Sequence, residues 1–355
     1  MNMREFEKNI RRVEPYVPGE QPQTKVIKLN TNENPYPPAP GVLCAMKEME
    51  TQVDSLRLYP DPTSDSLVSV LADYYHVGKD QVFVGVGSDD VLAMCFLTFF
   101  NSEKPIFFPD ITYSFYKVWA DLYRIPYECK PVDENFRIRK EDYYGENGGV
   151  IFPNPNAPTS IYENLEFVED ILQHNQDVIV IVDEAYIDFA GESAMSLLDK
   201  YENLIITQTF SKARSMAGMR IGYAIASPLL IKYLNDAKYS FNSYTMNKTS
   251  LVYGVEAVKD KAYFEEVVGK IVATRDWAAG QFAELGFVFP KPSGNFLFVS
   301  HPEYDAKELF LAMKAAGIYV RYWNQERIKD YMRVTVGTRE EMEEMFAFLR
   351  KYMNK

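Results

Sequence analysis

Short apolar runs alternate with helical patterns between about residues 78 and 225, and this alternation constrains the fold more than any other feature of the chain. The runs are rich in β-branched and aromatic residues, which predicts strands. They read QVFVGV, PIFFPD, GGVIFPNP, DVIVIVDEAY, NLIITQTF and RIGYAIAS. Because helical patterns separate them, the connections are crossovers, and the strands should form a sheet buried on both faces. The sequence therefore predicts an α/β fold with a mostly parallel sheet.

The pattern changes beyond residue 245. A helical stretch is predicted from about Asn247 to Leu285, and SGNFLFVS, GIYVRYW and MRVTVGT predict short strands. The proline-rich segment LNTNENPYPPAPG predicts an extended arm, because proline disrupts helices and central strands. A chain of 355 residues also exceeds the size at which one core usually keeps growing. We predict a large domain over residues 31–245 and a smaller α+β domain over residues 246–355, with residues 1–30 as an arm against it.

Composition favours a soluble enzyme. The formal net charge of −12 argues against a nucleic-acid binder, since such proteins usually carry a basic patch. No stretch reaches about 18 uninterrupted apolar residues, and the N-terminus has no apolar signal core. Cys44, Cys95 and Cys129 lack the paired spacing of a disulfide framework or a zinc site. These features predict a cytoplasmic protein with reduced thiols.

Polar residues follow the predicted strands at their carboxyl ends, where ligands bind in such sheets. Asp183 ends one strand, and Ser211 and Lys212 follow the next, with Arg220 further along the same motif. Pyridoxal phosphate needs a lysine amine to bind its aldehyde, a carboxylate to keep its ring nitrogen protonated, and donors for its phosphate. Lys212 or Asp183 alone would be an ordinary loop or turn residue. Their combination predicts a pyridoxal phosphate site.

A glycine-rich turn supports the phosphate end of this site. QVFV is followed by GVGSDDVLAMCFLTFF, so two glycines lie between a strand and a helix, where free amides and the positive helix end can hold an anion. The turn is not a P-loop, because no Gly-Lys-Ser/Thr follows. It is not a dinucleotide fingerprint either, because Asp90 occupies the third glycine position. Alone it would be an ordinary turn before a buried helix.

The ordered motifs of the chain resemble those of the fold type I aminotransferases, and most closely the histidinol-phosphate aminotransferase family. They read LNTNENPYPP, YPDP, GVGSDD, PDITYSFY, NPNAPTS, VDEAY, SKARSMAGMRIGY, GNFLFV and RVTVGT. The resemblance implies a seven-stranded, mostly parallel sheet, pyridoxal 5′-phosphate as cofactor, and a homodimer with shared active sites. It also implies a reaction of histidine biosynthesis, in which histidinol phosphate and 2-oxoglutarate give imidazole-acetol phosphate and glutamate.

The resemblance implies a role for each matched residue of the cofactor site. Lys212 would bind the cofactor and move the substrate's α-proton. Asp183 would hold the proton on the ring nitrogen, and Tyr186 would donate to the ring's phenolate oxygen. Tyr113 would stack on the ring. The phosphate would be surrounded by residues of this chain and by one tyrosine of the neighbouring subunit: Ser88, Asp89, Ser211, Arg220 and the neighbour's copy of Tyr59.

The substrate-binding residues are implied in the same way. Arg333 resembles the arginine that binds the substrate's α-carboxylate, a role suited to a planar bidentate donor. Asn34 would assist it. Tyr16 and Arg321 match positions that contact the substrate's phosphate.

Two positions depart from the family pattern. Where relatives have Asn-Pro-Thr-Gly, this chain has Ala157 and then Pro-Thr-Ser, so the asparagine expected beside the phenolate oxygen is missing. The neighbouring Asn156 is the substitute we predict. Arg214 places a charge at a position that is usually apolar, which calls the detailed substrate geometry into question.

Other functions fit the same motifs. An aromatic or other amino-acid aminotransferase is one alternative, and a phosphothreonine-type decarboxylase on the same scaffold is another, since Arg333 alone does not exclude decarboxylation. A binding protein that kept the fold without activity is a third, and the intact cofactor residues count against it. His76, His174 and His301 lie outside every motif, so no metal site is predicted.

Overall fold

The computed structural model describes residues 5–354. Its strands form one large sheet and two small ones. In chain order they are β1 (Ile27–Lys28), β2 (Val82–Gly85), β3 (Ile106–Pro109), β4 (Tyr127–Lys130), β5 (Val150–Pro153), β6 (Val180–Asp183), β7 (Leu204–Thr209), β8 (Gly222–Ala226), β9 (Phe296–Val299), β10 (Ile318–Tyr319), β11 (Arg321–Tyr322) and β12 (Met332–Thr335).

Helices cover both faces of the large sheet and pack on the small ones. In chain order they are α1 (Pro40–Glu50), α2 (Asp65–Tyr75), α3 (Ser88–Phe99), α4 (Phe115–Tyr123), α5 (Leu165–His174), α6 (Pro228–Phe241), α7 (Lys248–Lys259), α8 (Lys261–Glu284), α9 (Ala306–Ala315) and α10 (Arg339–Tyr352). Within the described residues, none of these helices is both long and apolar enough to cross a membrane.

The large sheet has seven strands in the order β2-β8-β7-β6-β5-β3-β4, which confirms the predicted α/β architecture. Strands β4, β3, β5, β6 and β7 are parallel. The expectation that β8 follows a crossover is wrong, because β8 runs antiparallel to both β2 and β7. Edge strand β4 is largely exposed and carries charged residues, so its sequence has no apolar run that would predict a strand.

Burial on both faces explains the continuous apolar runs of the central strands. In β6, Val180 and Val182 pack into the core on one face, while Ile181 packs into the core on the other. A sheet covered by helices on both sides buries every residue of a central strand, so the usual alternation of polar and apolar residues disappears.

The C-terminal part forms a smaller α+β unit. Its antiparallel sheet has the order β11-β12-β9 and packs against α8, α9 and α10 in a separate core. Strand β1 of the arm pairs in parallel with β10, and Leu29 lies in the same core. An ion pair of 2.6 Å between Glu20 and Lys314 adds a further contact. This part of the arm therefore lies against the small unit.

The helical stretch predicted from Asn247 to Leu285 is two helices rather than one. Asp260 has non-helical torsion angles, and its side chain accepts a hydrogen bond from the Tyr263 amide at the start of α8. Helix α7 packs with α1 and α2 in the core of the large sheet. The division after residue 245 remains a prediction, and the packing of α7 favours a boundary near Asp260 instead.

The turn before α3 requires two glycines. Gly87 has a φ of 89°, in the region that favours glycine. Gly222 on β8 lies directly against this turn, and a Cβ there would come within 2.2 Å of the Ser88 amide nitrogen. The absence of a side chain at Gly222 therefore allows the first turn of α3 to approach the end of the sheet.

We expect Gly222→Ala to destabilise the protein by about 1 to 3 kcal/mol, the usual cost of forcing extra atoms into a packed site. Gly280→Ala is the matched control, because a Cβ at this exposed position inside α8 would meet nothing within 4 Å. It should stabilise the protein by about 1 kcal/mol through helix propensity. Urea denaturation gives both values, and a Gly222→Ala protein as stable as the wild type would contradict this account.

Candidate active site

A cleft of about 370 Å³ lies where the ends of β6 and β7 meet the small unit and the arm. Most of the predicted site residues line it together. They are Tyr16, Ser88, Asp89, Tyr113, Asp183, Tyr186, Ser211, Lys212, Arg220, Arg321 and Arg333. Three other predicted residues do not line it: Asn34, Tyr59 and Asn156.

The Lys212 amine lies in the cleft and is held by the arm. Its Nζ donates to the Thr31 carbonyl at 3.1 Å. Burial of the amine, together with a smaller repulsion from Arg333, lowers its pKa to about 8. Asn34 donates from Nδ2 to the carbonyls of Lys212 at 3.2 Å and Ala213 at 3.1 Å. Asn34 therefore fixes the backbone that carries Lys212 instead of facing the cleft.

Asp183 ends β6 as a buried carboxylate, with 4% of its surface exposed. Tyr116 donates to its Oδ2 at 2.8 Å, and Thr207 donates to its Oδ1 at 3.4 Å. Burial raises the pKa of Asp183 to about 6. Among residues 5–354 no cationic side chain lies within ion-pair distance of it, so a protonated nitrogen on a bound ring would supply the missing partner.

The other end of the cleft is suited to an anion. Arg220 donates from Nη1 to Ser211 Oγ at 3.5 Å and forms a 3.3 Å ion pair with Asp89. Tyr113 donates to the other oxygen of Asp89 at 2.7 Å. The Asp89 carboxylate thus positions Arg220 and Tyr113. The Arg220 guanidinium, Ser211 and the start of α3 at Ser88 are left to face a phosphate.

Asn32 is a site residue that our sequence analysis missed. Its Nδ2 donates to the Tyr186 hydroxyl at 2.9 Å, and its Oδ1 accepts from Thr335 at 3.0 Å. The side chain thus links the large unit to β12 of the small one. Its place in the LNTNENPYPP motif could have indicated it, but the same motif also contains Asn34, which is the residue we predicted.

Asn156 faces away from the cleft. Its Nδ2 donates to the Ile111 carbonyl at 2.9 Å, and its Oδ1 accepts from Thr112 at 3.1 Å. Both ends of the amide therefore hold a neighbouring loop. A contact between Asn156 and a cofactor oxygen remains a prediction that this geometry does not support.

Arg214 also lies outside the cleft. Its guanidinium carbon is 4.3 Å from the centre of the Phe264 ring and 4.9 Å from that of Tyr74. Its Nη1 donates to the Ala257 carbonyl at 2.8 Å. The charge is therefore accommodated between aromatic rings, and Arg214 makes no direct contact with the cleft.

Arg321 and Arg333 form the cationic wall of the cleft. Arg321 donates to the carbonyls of Val17 and Pro18 at 3.0 and 3.2 Å, and Arg333 donates to that of Asn30 at 2.8 Å. The Nε of Arg333 is buried without a hydrogen-bond partner. Neither arginine pairs with a carboxylate in the described part of the chain. A bound anion would satisfy both.

Two aromatic residues complete this wall. Tyr16 stacks on Phe115, with ring centres 4.2 Å apart, which brings the arm over the large unit. Trp323 lines the cleft between the two arginines and was not anticipated from the sequence.

Comparison with known proteins identifies the family. A sequence profile described as Aminotransferase class I and II matches residues 24–349. The chain belongs to this aminotransferase family. It is 48% identical over 344 residues to the histidinol-phosphate aminotransferase of Clostridium botulinum strain Okra, covering 97% of each protein. It is 47% identical over 351 residues to the enzyme of that name from Lactococcus lactis strain IL1403, covering 99% of this chain and 97% of that protein.

Solved structures share the aminotransferase fold. The histidinol-phosphate aminotransferase of Sinorhizobium meliloti, solved in complex with pyridoxal-5′-phosphate, superposes with a TM-score of 0.83 at 23% identity, covering 93% of this chain and 91% of that one. The enzyme of the same name from Clostridium acetobutylicum gives 0.83 at 21% identity, covering 92% and 98%. The fold is thus the fold type I architecture that the resemblance implied.

The raised pKa of Asp183 leads to a pH-dependent expectation for the ligand-free protein. Since the folded-state pKa of about 6 exceeds the usual pKa of 3.8 for this group, the carboxylate costs stability as pH rises between these values, and the cost is constant above them. Asp183→Asn should therefore become more stable than the wild type by up to about 3 kcal/mol above pH 6. Denaturation at pH 5 and pH 8 measures this, and an advantage no larger at pH 8 than at pH 5 would contradict it.

Proposed function

We propose that this aminotransferase transfers the amino group of histidinol phosphate to 2-oxoglutarate, with pyridoxal 5′-phosphate as cofactor, in histidine biosynthesis. The names of the relatives at 47–48% identity support the substrate. The structural observation that carries the proposal is a pair of arginines, Arg321 and Arg333, that have no carboxylate partner among residues 5–354.

The charge of the substrate makes this pair informative. Histidinol phosphate carries a phosphate ester where an amino acid carries its carboxylate, and a phosphate ester has nearly two negative charges at neutral pH. Two guanidinium groups suit such a group better than a single carboxylate. In this half of the reaction Arg333 would therefore bind phosphate. The α-carboxylate role implied by the family resemblance would belong to 2-oxoglutarate.

The cleft also fits the cofactor. Ser211, Arg220 and the start of α3 would hold its phosphate, and Asp183 would hold the proton on its ring nitrogen. Lys212 would bind its aldehyde. When bound, the protonated ring supplies the electron sink that stabilises the charge left on the substrate's α-carbon.

The residues of the chain would then handle the proton and the geometry. The Lys212 amine has a pKa of about 8, so a substantial fraction is neutral near pH 7 to 8 and can accept the α-proton. Asn32 orients the Tyr186 hydroxyl, which would donate to the ring's phenolate oxygen. Tyr113, held by Asp89, would cover one face of the ring.

We further propose a homodimer in which Tyr59 serves the neighbouring subunit. Tyr59 is 81% exposed and stacks on Tyr244 at 4.6 Å, away from the cleft of its own chain. Exposed apolar side chains surround it in the two adjoining segments: Val53, Leu56, Leu58, Phe241 and Tyr244. Such a patch is typical of an interface. A cytoplasmic location remains a prediction.

Subunit mixing tests the shared site. Lys212→Ala and Tyr59→Ala should each be inactive, yet their hybrid dimers should contain one intact site. Random pairing should restore about a quarter of wild-type activity, because half of the dimers are hybrids with one of two sites intact. Mixing Lys212→Ala with Asp183→Ala is the control and should restore nothing, since both residues belong to the same chain's site. If dimers of one Lys212→Ala and one Tyr59→Ala subunit are shown to form but have no activity, Tyr59 does not serve the neighbouring subunit's site.

The substrate assignment is tested by the two arginines. Arg321→Ala should lose about 2 to 5 kcal/mol of transition-state binding for histidinol phosphate, the range for removing one partner of a buried charge pair. Arg321→Ala should lose much less transition-state binding for an amino acid with a neutral side chain. Arg333→Ala should lower kcat/KM for both donors. Arg339→Ala, outside the cleft, is the control. The measurement is kcat/KM for both donors, and equal losses for Arg321→Ala would favour a general aromatic aminotransferase.

A further inference from the structure

The two arginines of the cleft face each other across a pair of strands. Arg321 on β11 is directly opposite Arg333 on β12, in antiparallel register. Like charges in this position destabilise a sheet. Within the described residues neither guanidinium has a carboxylate partner, so another group must offset their repulsion when no ligand is bound.

Trp323 occupies the position to do this. It lies two residues after Arg321, and its ring centre is 5.3 Å from the guanidinium carbon of Arg321 and 5.3 Å from that of Arg333. Both distances are within the range of cation–π attraction. Three backbone carbonyls of the arm also accept hydrogen bonds from the two arginines, and the Phe296 ring centre lies 5.4 Å from the guanidinium carbon of Arg333. The Nε of Arg333 has no hydrogen-bond partner among residues 5–354. One indole thus contacts two cations that would otherwise repel each other.

The indole also borders the space that a ligand would fill. Trp323 lines the cleft of about 370 Å³ and a neighbouring cavity of about 300 Å³, and Arg333 lines both as well. A group that reaches the arginines would therefore lie beside Trp323. The ring is half-buried, so solvent weakens its attraction for the cations only in part.

We propose that Trp323 determines the preference for a phosphate monoester over a carboxylate, by holding both guanidinium groups at the separation that a doubly charged group requires. A carboxylate carries one charge and can be bound by Arg333 alone. A phosphate needs both arginines, and without the indole their repulsion would separate them. The identity of the phosphate monoester rests on the proposed function, whereas the pairing of the arginines does not.

The test compares phosphate with carboxylate binding in the cofactor-loaded enzyme. Trp323→Leu keeps the bulk but removes the aromatic face, and Trp323→Phe keeps a smaller ring. Trp277→Leu is the matched control, because Trp277 stacks on Arg339 at 3.5 Å outside the cleft. The measurements are the dissociation constants of inorganic phosphate and of acetate by calorimetry, and kcat/KM for histidinol phosphate. Melting temperatures and cofactor absorbance verify folding and loading.

We expect Trp323→Leu to raise the dissociation constant of inorganic phosphate about tenfold, because the loss of two cation–π contacts lets the arginines separate. It should lower kcat/KM for histidinol phosphate by a similar factor. The dissociation constant of acetate should change less than about twofold. Trp323→Phe should bind inorganic phosphate about threefold more weakly than the wild type, and Trp277→Leu should bind it as the wild type does. In an Arg321→Ala background, Trp323→Leu should cost little more, because the pair it holds no longer exists.

Equal losses for phosphate and acetate would overturn the inference, since they would make Trp323 a general support of the cleft. An unchanged phosphate constant in Trp323→Leu would overturn it as well. A wild-type enzyme that does not act on histidinol phosphate, together with the tenfold loss of inorganic phosphate binding in Trp323→Leu, would refute the proposed function and support this inference.

Discussion

Buried charge without a protein partner is the constraint on which the rest of the site depends. Within residues 5–354, Asp183 ends a central strand with hydrogen bonds but no cationic partner, and the Nε of Arg333 is buried with no acceptor. Each such group costs folding free energy, because desolvation is not repaid by a counter-charge. The large sheet tolerates the cost through its two extensive cores. The ligands then find their partners already oriented, so binding requires little reorganisation.

The site joins two structural units, and the arm connects them. Asp183, Lys212 and Arg220 belong to the large sheet, whereas Arg333 belongs to the small one. Asn32 bonds to Tyr186 on one side and to Thr335 on the other. A shift of the small unit would therefore move Arg333 and the Tyr186 hydroxyl together. Because Asn32 bonds to both units, the arm fixes the distance between the two ends of the cleft.

The sequence predicted those features that a single residue type or a local pattern determines. Apolar runs located six of the seven large-sheet strands, and the polar residues that follow two of them indicated Asp183 and Lys212 as candidate site residues. The direction of β8 was missed because hydrophobic pattern does not encode strand polarity. The sequence could not show which way the amides of Asn34 and Asn156 turn, because an amide can face either a ligand or a backbone carbonyl, and both donate to backbone carbonyls here. Trp323 was missed since aromatic residues usually reflect packing, and its role depends on two arginines that only the β11–β12 register brings together.

Local positive charge in a protein of net charge −12 has a consequence for selectivity. The long-range field repels anions, so an anionic substrate gains favourable energy only inside the cleft, where Lys212, Arg220, Arg321 and Arg333 converge. Salt screens the distant charges more than the buried ones. Recognition therefore depends on the few ångströms between the arginines and the ligand. Within that distance a doubly charged phosphate gains electrostatic energy from both guanidinium groups, whereas a single carboxylate gains its full energy from only one.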